Sequence, residues 1–523
     1  MGRGAAPYNG RFGLVARCAR SDVRGMSAKA RTLAPLLAAA IACGTSAGPT
    51  SPDAGDPDAG ADGGPGDAGP GGDGGPGDGG LVWPNAQSAA NSSPWIAEHH
   101  AAITEMRPRF LVVSFANGIG LSGGDNTSGG PVTTQQIRAK AESFLHALAT
   151  GSTHQPGRRP SARPFLAPEI AKVIDLQDRN GHANSDLFPR GPAAPGTPGY
   201  PTVGYWKLFT DQYAPHWQYW NGARYLNLAE LVAQGLVNEV IMVANQVDGN
   251  GSNPAGQVTA HILEVAFVAQ AYDADFRPRA GEFVRNGCAF DRQKTDVTGA
   301  TYVCDNTIPW TGRSLRIYFL NVSRGAGCLL HSLGHEFEFR YNESRIHSPG
   351  ASYHGATPNP WMQPLFRKFA DFDMRTRYGA AVDSLYAGSN CYTYADCAGG
   401  ICSRLDEWDD CSKPMSSRVL RASFSPYRPT CGNVHYPPGA AQGYDYHPAS
   451  GVLSDCETFM KDGSKPAGVR ASSWGAITAD PRIDQDCGGD FLVYWFQNMP
   501  GPGNEARDLS GSPMKNWWPF LYY

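Results

Sequence analysis

Two histidines stand four residues apart, His331 and His335, in the segment CLLHSLGHEFEFRY that runs from Cys328 to Tyr341. On a helix they share one face, and Glu338, three residues beyond His335, falls on the same stripe. Two imidazoles and a carboxylate converging in this way can hold Zn2+ or another divalent metal. A further ligand is offered by His435 in the late segment CGNVHYPPGAAQGYDY, Cys431 to Tyr446. A cysteine and a Pro-Pro pair stiffen that loop, and a rigid loop suits a metal-binding group. Glu336 and Asp445 are the carboxylates expected to handle protons. On a regular helix, however, Glu336 points well away from His331. The alternative is that the histidines are buried, hydrogen-bonded helix residues, with Glu336 or Glu338 paired to Arg340 or Arg345. His435 and Tyr444 would then be packing residues. His347 and His354 follow the helix and are weaker candidates.

The elements that must position these residues alternate between strand and helix. Arg109 to Ala116 (RFLVVSFA) is an apolar run of buried-strand type, and a Gly-rich loop follows it. Thr133 or Thr134 can then cap a helix that continues through Thr150. Leu226 to Gln234 reads as a helix, and Val237 to Ala244 (VNEVIMVA) as a strand. Leu315 to Val322 (LRIYFLNV) is a third strand, followed by a helix that begins near Cys328. The pattern predicts an α/β fold: a mainly parallel sheet with flanking helices. Ligands gather at the carboxyl ends of the strands in such sheets, which is where the His331 helix begins. After Tyr378 the alternation gives way to a loop-rich, disulfide-bonded C-terminal region.

His331-Ser332-Leu333-Gly334-His335 resembles the HExxH helix of zinc metallopeptidases over about five residues. The resemblance implies that His331 and His335 are ligands. It departs where that family carries its general-base glutamate, because residue 332 is serine here.

The N-terminal region has a different character. From Met26 the chain reads MSAKARTLAPLLAAAIACGTS, with basic Lys29 and Arg31 before an apolar stretch, Leu33 to Ala42, too short to span a bilayer. Ala40-Ile41-Ala42-Cys43 resembles the lipobox of bacterial lipoproteins, in which the cysteine becomes the lipidated first residue of the mature chain. The other reading is an ordinary secretory signal. Residues 1–25 carry Arg3, Arg11, Arg17, Arg20 and Arg24 and no apolar run, as expected of a misassigned N-terminal extension. Residues 26–42 are the expected signal and 43–80 a Gly/Pro/Asp tether. Seven aspartates and no aromatic or branched apolar residue between Pro49 and Gly80 predict disorder. Residues 81–523 form the expected globular domain, with a Cys-rich insert at 388–413. No segment after the signal has the length and apolarity of a membrane helix.

The formal net charge of −4 gives no basic footprint, so no nucleic-acid partner is expected. Beyond Cys43 there are ten cysteines, and an exported chain would pair them as disulfides. Cys391, Cys397, Cys402 and Cys411 form a local cluster without the CxxC pairs of zinc ribbons, and Cys288 and Cys304 bracket another loop. Gly118 to Gly130 follows a strand but lacks a P-loop ending and does not match GxGxxG. Asp178 to Gly181 with Asp186, and Asp248 to Asn253, have the oxygen-rich character of structural Ca2+ sites without a full EF-hand set. Tyr205, Trp206, Phe209, Tyr213, Trp217, Trp220, Trp517 and Trp518 could bind sugar rings or fill a core.

Three functions remain. The first is a lipid-anchored metal-dependent hydrolase of the cell envelope, facing the periplasm or the outside, acting on an extracellular polymer or glycan. Metal-activated water is its natural mechanism, because no GxSxG nucleophile is present and disulfides would consume the thiols. The second is a non-catalytic surface protein that binds glycan or protein, which needs no base at position 332. The third is a structural envelope protein.

Overall fold

The computed structural model describes residues 80–523, apart from 89–92, 119–131, 180–183, 194–200, 246–264, 286–292, 296–300, 304–307, 323, 342–358, 371–428, 436, 441–443, 450, 475–476 and 478. The signal, the tether, the insert at 388–413, Cys288, Cys304, His347, His354 and Asp248 to Asn253 lie outside the described residues, as does nearly all of the Gly118 to Gly130 loop. In chain order, β1 (Leu81–Trp83), α1 (Ser93–His99) and β2 (Ile103–Met106) precede β3 (Arg109–Ser114), α2 (Thr134–Gly151) and β4 (Glu169–Asp175). The hairpin β5 (Arg190–Ala193) and β6 (Pro201–Val203) leads to α3 (Ala214–Trp217), α4 (Leu228–Ala233), β7 (Glu239–Ala244), β8 (Val265–Tyr272) and β9 (Pro278–Arg285). The short strands β10 (Gln293–Thr295) and β11 (Thr301–Val303) are followed by β12 (Leu315–Asn321), α5 (Gly327–Tyr341) and α6 (Met362–Phe369). Last come β13 (Val452–Ser454), β14 (Ala467–Val469), α7 (Gly489–Gln497) and α8 (Trp518–Tyr522).

The main sheet has six strands in the order β4-β3-β7-β12-β8-β9. Three neighbouring pairs are parallel, and β8 and β9 add two antiparallel pairs, so the sheet is mixed and mostly parallel. The antiparallel edge has a local cause. Asp273 accepts hydrogen bonds from the backbone N–H of Asp275 and Arg277, closing a tight turn between β8 and β9. A connection that short can only join antiparallel strands.

Alternation along the strands divides the interior in two. Phe110, Val112, Ile241, Val243, Tyr318 and Leu320 face the layer that contains α2, α5, α7 and α8. Leu111, Val113, Val240, Met242, Ile317 and Phe319 face Tyr205, Leu208, Trp217 and α4. Tyr213, Trp217, Trp517 and Trp518 are therefore core, whereas Trp206 and Trp220 are exposed. Thr133 is the N-cap of α2 in a reciprocal capping box with Gln136, and Asn227 with Glu230 does the same for α4.

A charged cluster is sealed beneath the sheet. The parallel register places Arg316 of β12 beside Glu239 of β7, both pointing toward α5. Arg316 also reaches Glu336 of α5 at 3.3 Å, and Glu336 lies 3.3 Å from Arg340. The spare guanidinium donors serve backbone carbonyls of α8. Arg316 donates to Tyr522 O at 2.6 Å and to Leu521 O, and Arg340 donates to Leu521 O at 2.6 Å. All four side chains are buried. Burial outweighs the pull of Arg316 on Glu239 and pushes its carboxyl from the ordinary 4.5 up to about 8.

Removing one partner from such a cluster strands the others. Arg316→Met is expected to cost about 3–5 kcal/mol in chemical denaturation. Glu239 holds its proton when folded and releases it when unfolded, so its contribution is full at low pH and falls as pH rises from 4.5 to about 8. Glu239→Gln should remove that decline; an unchanged pH slope would refute the assignment.

Candidate metal centre

Helix α5 is held at its start before it presents any side chain. Its first N–H groups have no partner within the helix. Asp484 accepts from Gly327 N at 3.1 Å, and Asp486 accepts from Gly325 N at 2.9 Å. Asp486 also takes two hydrogen bonds from Arg324, which together with the backbone donors hold its carboxyl down to about 2. Carboxylates at this end favour the helix dipole as well. The helix start crosses α7 at two glycines. A Cβ on Gly489 would lie 2.8 Å from the Cα of Gly327, so neither position tolerates a side chain. The disulfide Cys328–Cys487 locks the crossing.

His331, His335 and His435 come together from α5 and from the loop after Cys431. Their ligand atoms all lie within 4.8 Å of one another. His335 Nε2 is 3.1 Å from His331 Nε2 and 3.0 Å from His435 Nε2. His331 is buried, while His335 and His435 are partly exposed.

Contacts on the outer nitrogens decide which way these rings present their lone pairs. His331 Nδ1 lies 3.2 Å from the carbonyl of Cys487. A carbonyl only accepts, so the proton sits on Nδ1 and Nε2 carries a lone pair. His335 Nδ1 donates to Glu338 Oε2 at 2.9 Å, and in the neutral ring Nε2 then carries a lone pair as well. Burial, and next the adjacent His335, hold the His331 imidazole well below its usual range and keep it neutral. Two lone pairs thus face each other at 3.1 Å. A cation at the centre could take a lone pair from all three nitrogens. The separations approach the ligand–ligand spacing of a tetrahedral ion with roughly 2.0–2.1 Å metal–nitrogen bonds.

Glu338 stands one layer behind the centre and is buried. One carboxylate oxygen takes His335, and the other accepts from Val434 N at 2.8 Å. It therefore orients a ring and ties the His435 loop to α5, in the pattern of a carboxylate behind a metal-binding histidine. The loop has further anchors. Cys431 is bonded to Cys456, Trp495 donates to Gly432 O at 3.1 Å, and His435 N donates to Asn433 Oδ1 at 3.0 Å.

Glu336 lies about 140° around the helix from His331 and is committed to Arg316 and Arg340. It is not placed at the histidines. Asp445 is half-buried, follows His435 by ten residues and belongs to neither ligand group. Ser332 donates to Cys328 O at 2.8 Å within its own helix. Asp178 spends both carboxylate oxygens on Asn117 and on the backbone N–H of Asp186, in the manner of a turn. The grouping of Cys328, Asp486 and Cys487 offers no thiolates, because its sulfurs are bonded to each other.

Two hydroxyls complete the site: that of Tyr444, which the sequence offered only as a packing residue, and that of Tyr446, which it did not single out. Tyr446 OH is 3.2 Å from His331 Nδ1, and Tyr444 OH is 2.8 Å from His435 Nε2. Their only sequence signal was their position on either side of Asp445. Comparison with protein-family models, curated proteins and solved structures finds no match for this chain.

Gly334 lies between the two helical histidines, and a Cβ there would come within 2.6 Å of the Val434 side chain. Gly334→Ala is expected to push the His435 loop off α5 and to cost about 1–3 kcal/mol by overpacking. A thermal melt superimposable on that of the wild type would show that this close approach is dispensable.

Proposed function

We propose that this chain is an exported, lipid-anchored, metal-dependent hydrolase of the cell envelope that acts on an extracellular polymer or glycan. The observation that carries the reading is the convergence of three imidazole nitrogens, His335 Nε2 lying 3.1 Å from His331 Nε2 and 3.0 Å from His435 Nε2. Three imidazoles around one point are a donor set suited to Zn2+, and a three-ligand centre leaves a position for water. The ion would supply a water of lowered pKa and polarise the bond under attack.

The chain's own residues take defined parts in this reading. Glu338 fixes His335 and raises its basicity as a ligand. Cys487 O and Tyr446 fix His331. Asp445 is the carboxylate left to accept a proton, since Glu336 serves the buried arginines. Export is supported by the two disulfides Cys328–Cys487 and Cys431–Cys456, which belong to an oxidising compartment. The lipid anchor on Cys43 rests on the sequence AIAC alone. No helix among the described residues is long and apolar enough to cross a membrane. We further read 81–523 as one α/β domain, with its loop-rich disulfide-bonded part built around the centre and the insert 388–413 as an excursion from it.

A second reading, a non-catalytic glycan- or protein-binding protein, is favoured by Ser332 in place of a base and by exposed Trp206, Trp220 and Tyr225. Elemental analysis of the disulfide-bonded chain separates the two. About one equivalent of zinc or another transition metal is expected in the wild type, and none in His331→Ala/His335→Ala. A wild-type protein that holds no metal and takes up none from added zinc would remove the hydrolase reading. With metal bound, a hydrolase screen on polysaccharide and peptide substrates decides between catalysis and binding.

A further inference from the structure

We propose that the phenol oxygen of Tyr444 is the fourth ligand of this centre, an exchangeable one that closes the site at rest and gives way to water or an oxygen-donor substrate. The inference rests on the metal reading above. His435 Nε2 is the ligand atom of that residue, and Tyr444 OH lies 2.8 Å from that same atom. Four donor atoms, three Nε2 and one phenol oxygen, are thus linked in a chain of contacts of 2.8–3.1 Å. A hydroxyl whose partner is the lone pair that faces the ion stands at the edge of the coordination sphere, not behind it.

Tyr446 provides the contrast. Its hydroxyl meets His331 at Nδ1, on the far side of the ring, and its side chain is buried with its phenol pushed above the ordinary range. It can orient His331 but cannot reach the ion through that nitrogen. Tyr444 is 41% exposed, more than any of the three histidines. Its ring packs on His435 with centroids 4.3 Å apart and lies nearly parallel to His331 at 6.0 Å.

The backbone holds it there at some cost. Tyr444 has φ of 65°, a left-handed conformation that bulky side chains seldom adopt. A hydrogen bond from Tyr444 N to His435 O, 2.8 Å, pins it beside the ligand it contacts. Such strain persists where the surroundings demand it, and functional sites are common places for that demand. Exposure on a loop makes the same group displaceable. On coordination the phenol O–H bond breaks, an oxygen–metal bond forms and the proton passes to bulk water. When an oxygen donor enters, these events reverse.

Copper(II) reports the bond directly, because a phenolate ligand gives a charge-transfer absorption that imidazole and water ligands lack. The full disulfide-bonded chain, stripped with chelator, is loaded with Cu2+, and its spectrum is compared with those of Tyr444→Phe and Tyr446→Phe. The expected result is one such band in the wild type and in Tyr446→Phe, its loss in Tyr444→Phe with copper still bound, and its bleaching by acetohydroxamate with copper retained. Wild-type protein that binds copper without the band overturns the assignment and leaves the metal centre standing. A band that acetohydroxamate fails to bleach overturns exchangeability and makes this a sealed, structural site. If no copper binds at all, both this inference and the metal reading fall.

Discussion

The rotation of α5 about its own axis is set from beneath by Arg316. That side chain is buried, leaves the sheet on the α5 side, and must find carboxylates and carbonyls there. Glu336 and Arg340 on α5 answer it, with two carbonyls of α8. A buried guanidinium without partners would cost far more than any local adjustment of the helix could recover. The face of α5 that carries Glu336 is therefore fixed inward, and helical geometry then directs His331 and His335 the other way. The charge cluster does no chemistry at the centre. It determines which side of the helix can.

Position along the axis is set by different means. The glycine crossing with α7, the two aspartates at the helix start and Cys328–Cys487 hold α5 at one end. Glu338 and the loop between Cys431 and His435 hold it further along. The same groups that anchor the helix also fix the imidazole rings: Cys487 supplies the carbonyl for His331, and Glu338 supplies the carboxylate for His335. Scaffold and outer ligand shell are one set of atoms here. That economy explains why a short loop, Gly432 to His435, suffices to bring in an imidazole a hundred residues away in sequence.

The strands β3, β7 and β12 and the helices α2, α4 and α5 were legible because apolar runs, caps and helical spacing are local signals. The grouping of His331 with His335 was legible for the same reason. β8 was missed, and with it the antiparallel edge, because VAFVAQAY has no partner pattern nearby that names it a strand. Helix α7 was missed because GDFLVYWFQ is a short, nearly continuous apolar run, which cannot be told from a buried strand by pattern alone. Helical spacing set Glu338 on the histidine stripe and Glu336 away from it, but not what either one meets. The difference lies in Arg316 and Val434, which only the fold brings to them. Tyr444 and Tyr446 alternate along an irregular loop, and no spacing rule announces that their hydroxyls reach two different histidines.

The covalent links have a consequence for the order in which the molecule can be assembled. The proposed centre draws on residues from 331 to 487, and both of the segments that complete it are closed by disulfides. Until Cys487 meets Cys328 and Cys431 meets Cys456, His331 lacks its fixed carbonyl and His435 lacks its fixed loop. A reduced chain would offer scattered imidazoles in place of a preorganised site. On the proposed reading, loading of an ion would be deferred to whichever compartment oxidises the thiols, and the supply of metals in that compartment would govern which ion the finished protein carries.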